Sequence, residues 1–268
     1  PASIATPFFE TWDDVSQPDG TDWTFNQGAF VLTTAVAEPN APKSIQMSTA
    51  GGLENDKEEI RSKTFALQGE SGVTLSFYTE ARGPENGESL ICDYVNSSGD
   101  WVELGRVNSD GTIESSFLFS RFSLPANAYH DGFRFRFRTD VDDIFDFWFV
   151  DSVKLGKQPE MTLVTPPSPG QTARADVTGL LPGQSVTLFY SFTGIGSGPC
   201  FFQDVCFDLL GGIFPLVTIN ANGAGTASFL IPIPANAPIG LTAYLQAFAG
   251  YVPGRQSDVS TAVSATVQ

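Results

Sequence analysis

The chain has 268 residues, 41% of them hydrophobic but only 16% charged, which leaves enough apolar material for a packed core and excludes wholesale disorder. Its formal net charge is −16, with Lys and Arg together numbering 14, so a polyanion such as nucleic acid meets net repulsion. No run of 18 apolar residues occurs, and none is long enough for a membrane-spanning helix.

Phenylalanine occurs 23 times, glycine 26 and proline 18, a mixture that favours pleated, turn-rich structure over helices. The opening Pro1-Ala2-Ser3-Ile4 shows no signal peptide, which fits either a processed secreted chain or a cytosolic one. In chain order, the first clear strand is Val73 to Tyr78. Ser89 to Val95 follows and turns at Asn96-Ser97-Ser98-Gly99-Asp100 into Trp101-Val102-Glu103-Leu104, a predicted hairpin. Phe117 to Phe122 is a further strand. Phe133-Arg134-Phe135-Arg136-Phe137-Arg138 is the clearest period-2 segment, and Phe147 to Leu155 closes the run.

Charge then changes abruptly. Residues 1–156 hold 25 acidic and 11 basic residues, whereas residues 157–268 hold 5 and 3, so two domains are expected with the boundary between 156 and 157. The second part continues with short strands at Ala173–Val177, Ser185–Tyr190, Leu216–Asn220, Gly225–Ile231, Leu241–Phe248 and Val259–Val267. No segment carries a 3.6-residue apolar stripe. The expected fold class is all-β, a jelly-roll sandwich followed by an immunoglobulin-like sandwich.

Three cysteines bear on compartment. Cys200 and Cys206 flank five residues and close a small loop easily if oxidised; no second Cys or His pair offers a zinc site, which favours a disulfide. That bond implies an oxidising, extracellular setting. Cys92, within Ser89-Leu90-Ile91-Cys92, reads as a buried free thiol.

Phe8-Phe9-Glu10, Asp22-Trp23-Thr24, the hairpin carrying Trp101, and Trp148-Phe149-Val150-Asp151-Ser152-Val153 together resemble MAM/concanavalin-like jelly-roll domains of secreted and surface proteins. The disulfides usual in that family are missing, which points to a bacterial-type relative. Leu181-Pro182-Gly183, the Cys200 and Cys206 pair and the closing strand from Ser257 are similar to the Ig-like modules at the C-terminal ends of bacterial secreted proteins. The first resemblance implies a structural calcium ion between Glu10 and Asp151, with Asp22 as a third carboxylate. Hard oxygen ligands suit that cation, and the other reading is of ordinary solvated acids at strand ends.

Asp140-Val141-Asp142-Asp143-Ile144-Phe145-Asp146 is a dense acidic loop without the Gly and distal Glu of an EF-hand. It reads first as a solvated loop and second as a cation or partner site. Arg134, Arg136 and Arg138 share one face of their strand. They are expected to pair with acids on adjacent strands, or else to grip carboxylates of a polysaccharide. Among the four tryptophans, Trp101 is the best exposed candidate for stacking on a sugar, against a packing role for all of them.

Catalysis finds little support: a single His130, no Gly-x-Ser-x-Gly elbow, no zinc pair and no phosphate loop, although two carboxylates suffice for a glycosidase. The expectation is a non-enzymatic, extracellular surface or matrix protein of structural or adhesive role, stabilised by calcium, that assembles with copies of itself, the charge-poor second part and Pro1 to Pro7 supplying contacts. The alternatives are a carbohydrate-binding accessory module and a polysaccharide-active enzyme.

Overall fold

The computed structural model describes residues 6–36, 38–39, 42–48, 58–114, 116–201, 205–250 and 257–268, with Cys200 and Phe201 described by their backbone alone. Of the Pro1 to Pro7 segment expected to supply contacts, Pro1 to Ala5 therefore lie outside the described residues. The chain divides into two compact units, Pro1–Lys157 and Gln158–Gln268.

The first unit contains β1 (Phe8–Glu10), β2 (Trp23–Gln27), β3 (Ala29–Leu32), β4 (Ser44–Met47), β5 (Glu59–Ser62) and β6 (Val73–Arg82). It continues with β7 (Ser89–Val95), β8 (Trp101–Asn108), β9 (Leu118–Ser123), β10 (Phe135–Thr139) and β11 (Phe147–Lys157). Two antiparallel sheets result, β3-β4-β11-β6-β9 with β1 also on β11, and β2-β5-β10-β7-β8. This is a jelly-roll sandwich, and its only described helix is the single 3-10 turn Ala126–Ala128.

Alternation explains the second sheet. Phe133, Phe135 and Phe137 are wholly buried and pack with Ile60, Cys92, Phe77 and Leu75 in one core shared by the two sheets. Regular pairing begins at Phe135, while Phe133 makes an isolated bridge to Phe65. Cys92 is a buried free thiol, and burial pushes its pKa well up. Strand β11 is buried from Trp148 to Gly156 and runs the length of its sheet. Its first half pairs with β4 and its second half with β1, and the register shifts between Asp151 and Lys154. Ser152 in that bulge takes φ of 51°, strained for a residue with a Cβ.

The outer face of the β11 sheet carries its own buried layer. Tyr78, Phe117 and Phe149 cluster there, and Arg82 lies over Phe149 at 4.9 Å while pairing with the fully buried Glu80. Nearby, Glu114 accepts the Ala81 N–H at 2.6 Å.

The second unit contains β12 (Glu160–Thr165), β13 (Thr172–Thr178), β14 (Ser185–Ser191), β15 (Cys200–Phe201) and β16 (Val205–Cys206). Then come β17 (Phe214–Asn220), β18 (Ala227–Pro232), β19 (Thr242–Ala249), β20 (Asp258–Val259) and β21 (Val263–Thr266). A three-stranded sheet β12-β13-β18 faces β17-β14-β19 with β20 and β21, an immunoglobulin-like sandwich whose core includes Val177, Leu188, Phe229 and Ala247. The closing strand expected as one piece is two, β20 and β21. In the small hairpin β15–β16, Cys200 stands opposite Cys206. On the edge strand β17, Phe214 and Leu216 are about half exposed.

Burial, then repulsion from Glu80 and Asp110, raises the Glu114 pKa from 4.5 to about 7. A raised folded value means that the stability tied to this carboxyl is fully present below its ordinary 4.5 and is lost as pH rises through about 7. Denaturant unfolding should therefore show the first unit weaker at pH 8 than at pH 5, and Glu114→Gln should narrow that gap. An unchanged gap would place the titration elsewhere.

Candidate functional site

The outward face of β2-β5-β10-β7-β8 gathers most of the unit's arginines. Because Phe135 and Phe137 point inward, Arg134, Arg136 and Arg138 point outward. Register sets Arg136 opposite both Arg61 on β5 and Asp93 on β7, with Arg138 opposite Glu59 and Ile91. The Asp93 side chain is only 3% exposed, and its Oδ2 accepts from Nε of both Arg136 and Arg138 at 2.7 Å. Glu59 pairs with Arg61 and, at 3.2 Å, with Arg136. The expected ion pairing of the arginine ladder is thus present for Arg136 and Arg138.

Trp101 opens β8 opposite Val95 and lies among these guanidinium groups. Arg136 stands 4.6 Å from its ring centroid, Arg134 5.7 Å and Arg61 5.8 Å. Arg61 also stacks on the exposed Phe25 of β2 at 4.5 Å. An aromatic–guanidinium layer therefore runs across the sheet. Arg134 has no carboxylate partner among the described residues. At the rim, Arg106 pairs with Glu103 at 2.5 Å and approaches Asp140 to 3.8 Å. The other tryptophans are core: Trp12 is fully buried, at φ 64°, and stacks on Trp23 at 5.0 Å, while Trp148 is also fully buried.

A second constellation sits at one end of the same unit. Glu85 and Glu88, from the β6–β7 turn, meet Asp142 and Asp146 with ligand oxygens all within 4.8 Å of one another, a group that could hold a metal ion. Glu88 accepts the Glu85 N–H at 2.6 Å and the Asp142 N–H at 2.9 Å, which ties the two loops together. Gly83, at φ 101°, permits the approach, since a Cβ there would lie 2.3 Å from the Phe145 carbonyl oxygen. Burial, with repulsion from Asp146, raises the Glu88 pKa from 4.5 to about 7, and Asp146 is raised by burial and by Glu85. The loop 140–146 is thus more than a solvated run, because Asp146 is buried. Sequence alone showed the four aspartates in that loop but not Glu85 and Glu88, which arrive from a turn more than fifty residues earlier.

Glu10, Asp22 and Asp151, the trio that the jelly-roll resemblance implies for calcium, are differently served. Both Glu10 oxygens accept hydrogen bonds, from Trp12 N–H at 2.8 Å and Trp23 Nε1–H at 3.3 Å. Burial raises the Glu10 and Asp22 pKa values, and Asp22 and Asp14 add repulsion at Glu10. The adjoining loop holds a cation of its own: Lys43 Nζ donates to the carbonyls of Asp13 at 2.8 Å and Val15 at 2.7 Å. Asp151 is fully buried, and its Oδ1 accepts the Ser152 N–H at 2.5 Å. Protein donors thus already engage Glu10 and Asp151.

His130 is a staple rather than a reactive group. Its Nδ1 accepts the Gly132 N–H at 3.1 Å, and Nε2 donates to the Val95 carbonyl at 3.0 Å. In the second unit, an apolar cavity of about 510 Å³ opens between the sheets, lined by residues such as Tyr190, Phe192, Leu216, Ile231 and Leu241.

No family model and no curated protein matches the chain. Among solved structures, the K3 cleaved adhesin domain of Lys-gingipain from Porphyromonas gingivalis W83 is similar at 16% identity and a TM-score of 0.42, over 56% of this chain and 98% of that one. The C-terminal family 22 carbohydrate-binding module of Clostridium thermocellum Xyn10B matches at 14% identity and a TM-score of 0.37, over 56% and 92%. The Endo-D glycoside hydrolase domain from Streptococcus pneumoniae R6 matches at 14% identity and a TM-score of 0.36; the alignment takes in 91% of this chain but 36% of that one. At such scores the likeness says nothing of ligand or activity.

Because Asp93 is buried under two guanidinium groups, removing it takes the carboxylate from Arg138 and leaves Arg136 with Glu59 alone, a loss of about 1–3 kcal/mol for two partly exposed arginines. Asp93→Ala should therefore lower the unfolding free energy of the first unit by that order, and Arg134→Ala by well under about 1 kcal/mol. Equal effects in urea titrations would contradict the pairing.

Proposed function

We propose that the chain is a non-catalytic, extracellular binding protein whose jelly-roll unit takes up carbohydrate on the face built from Trp101, Phe25, Arg61, Arg134, Arg136 and Arg138. One observation carries the reading: an indole and a phenyl ring on a sheet face, framed by planar hydrogen-bond donors, two of which the buried Asp93 carboxylate holds in place. Aromatic rings pack on the apolar faces of sugars, and guanidinium groups donate to their hydroxyls. Preorganised donors lose little freedom on binding. The MAM-like and Ig-like kinships belong to the same proposal, as does a Cys200–Cys206 disulfide, which the opposed register supports and which suits secretion. Assembly between copies ranks second, supported by the exposed Phe214 and Leu216 on an edge strand. Retention on a panel of insoluble polysaccharides tests the main reading. Wild type should be retained on at least one, and Trp101→Ala should bind roughly tenfold more weakly with its fold intact. Failure of wild type on every polymer would overturn the proposal.

Calcium belongs at Glu85, Glu88, Asp142 and Asp146 in this reading. Carboxylates this close repel one another unless protonated or bridged by a cation, and hard oxygens are what calcium takes. Glu10, Asp22 and Asp151 are the weaker site, since N–H donors already engage Glu10 and Asp151 and Lys43 brings positive charge to the adjoining loop. Calcium a hundredfold above its Kd should add about 2.7 kcal/mol, a rise of roughly 5–10 °C in the melting of the first unit relative to chelator. Glu88→Gln should abolish the rise. A rise that survives in that variant would move the ion to the Glu10 trio.

A further inference from the structure

The outward face that the carbohydrate reading assigns is not neutral. Arg61, Arg106, Arg134, Arg136 and Arg138 share it with the carboxylates of Glu59, Asp93 and Glu103. With Asp140 at the rim, 3.8 Å from Arg106, five guanidinium groups against four carboxylates leave a small cationic surplus on a unit that is strongly acidic elsewhere. At physiological salt the Debye length is about 8 Å, so an arriving group in contact with the face responds to this surplus more than to distant acids. Arg134 is the open position: its guanidinium stands 5.7 Å from the Trp101 ring, and among the described residues no carboxylate takes its donors.

Resting on the carbohydrate reading, we propose that the ligand is an acidic polysaccharide, one whose sugars carry carboxylates, and that Arg134 receives a carboxylate while Trp101 packs against the sugar beside it. A planar fork of N–H donors matches a carboxylate in two parallel hydrogen bonds. Three features favour this occupant. The surplus is small, which suits a polymer with widely spaced charges; nucleic acid, with a charge every ~1.7 Å along the duplex, would carry its phosphates onto the acidic surroundings. Trp101 and Phe25 offer ring faces for the uncharged part of each sugar. An acidic peptide would dock by pairing with a sheet edge, whereas this surface is a sheet face with its backbone already paired.

The test uses the full chain and compares polygalacturonate with the same polymer fully methyl-esterified, by affinity electrophoresis and calorimetry at low and high sodium chloride. Expected are binding to polygalacturonate at least tenfold tighter than to the ester, weakening with salt, and a loss of about tenfold in Arg134→Ala at an unchanged melting temperature. Arg134→Lys should restore only part, because an ammonium cannot make the paired contact. Equal binding of acid and ester, indifferent to salt, would sink the acid preference and leave the carbohydrate reading standing. Dextran sulfate bound as tightly as polygalacturonate would reduce the effect to plain charge attraction and also overturn the proposal. If neither acid nor ester binds while another neutral polysaccharide does, only the acid preference falls; if none binds, both fall.

Discussion

The buried carboxylate of Asp93 is the joint on which the first unit turns. On one side of β10, Phe135 and Phe137 enter the core; on the other, two arginines meet at a single Asp93 oxygen. Neither arrangement is stable alone. A strand with arginines on one face needs those charges neutralised before neighbouring side chains can cover them, and a carboxylate only 3% exposed needs the arginines in turn. Register satisfies both, because Asp93 is directly opposite Arg136 while Phe137 is opposite Cys92. A one-residue slip of β10 against β7 would bury an arginine and expose a phenylalanine, so the same contact that orders the face also fixes the pairing.

How much of this was written locally follows from the range of each interaction. The all-β class and the faces of β10 were legible because a two-residue period needs only the strand itself, and Phe-Arg-Phe-Arg-Phe-Arg states it without ambiguity. The hairpin from Ser89 through Trp101 was legible for the same reason, its turn carrying Asn, Ser and Gly. What Trp101 touches was not. Its partners lie on β10 and β5, beyond the intervening β7, and they meet because long side chains lie down across the sheet. Nor could composition place Glu85 and Glu88 beside Asp142 and Asp146, since that meeting needs two loops to fold over one end and a glycine at Gly83 to let a carbonyl close in. Trp12 hid its backbone conformation rather than its packing role. It takes a left-handed backbone conformation, unusual for so large a residue, and stacks on Trp23 in the core.

The two constellations of the first unit are opposite in charge and joined by one strand. β10 follows Arg134, carries Arg136 and Arg138, and runs directly into the loop that supplies Asp142 and Asp146. Asp140 accepts the Ser89 N–H at the start of β7, and Arg106 lies 3.8 Å from its other oxygen, so the acidic end and the arginine face share a boundary residue. Charges of the same sign that gather at one end cost free energy unless something bridges them, and that cost falls on the loop most directly tied to β10. A cation among those carboxylates would remove the repulsion and hold the loop to the β6–β7 turn, with β10 held at both of its sides by Asp93 and Glu59. Segregating the acids to one end also keeps them from quenching the arginines. If Glu85 and Glu88 stood among Arg134 and Arg61, the face would be saturated by its own chain and would have nothing to offer a ligand. The separation of the two sets, more than the count of either, is what leaves Arg134 open.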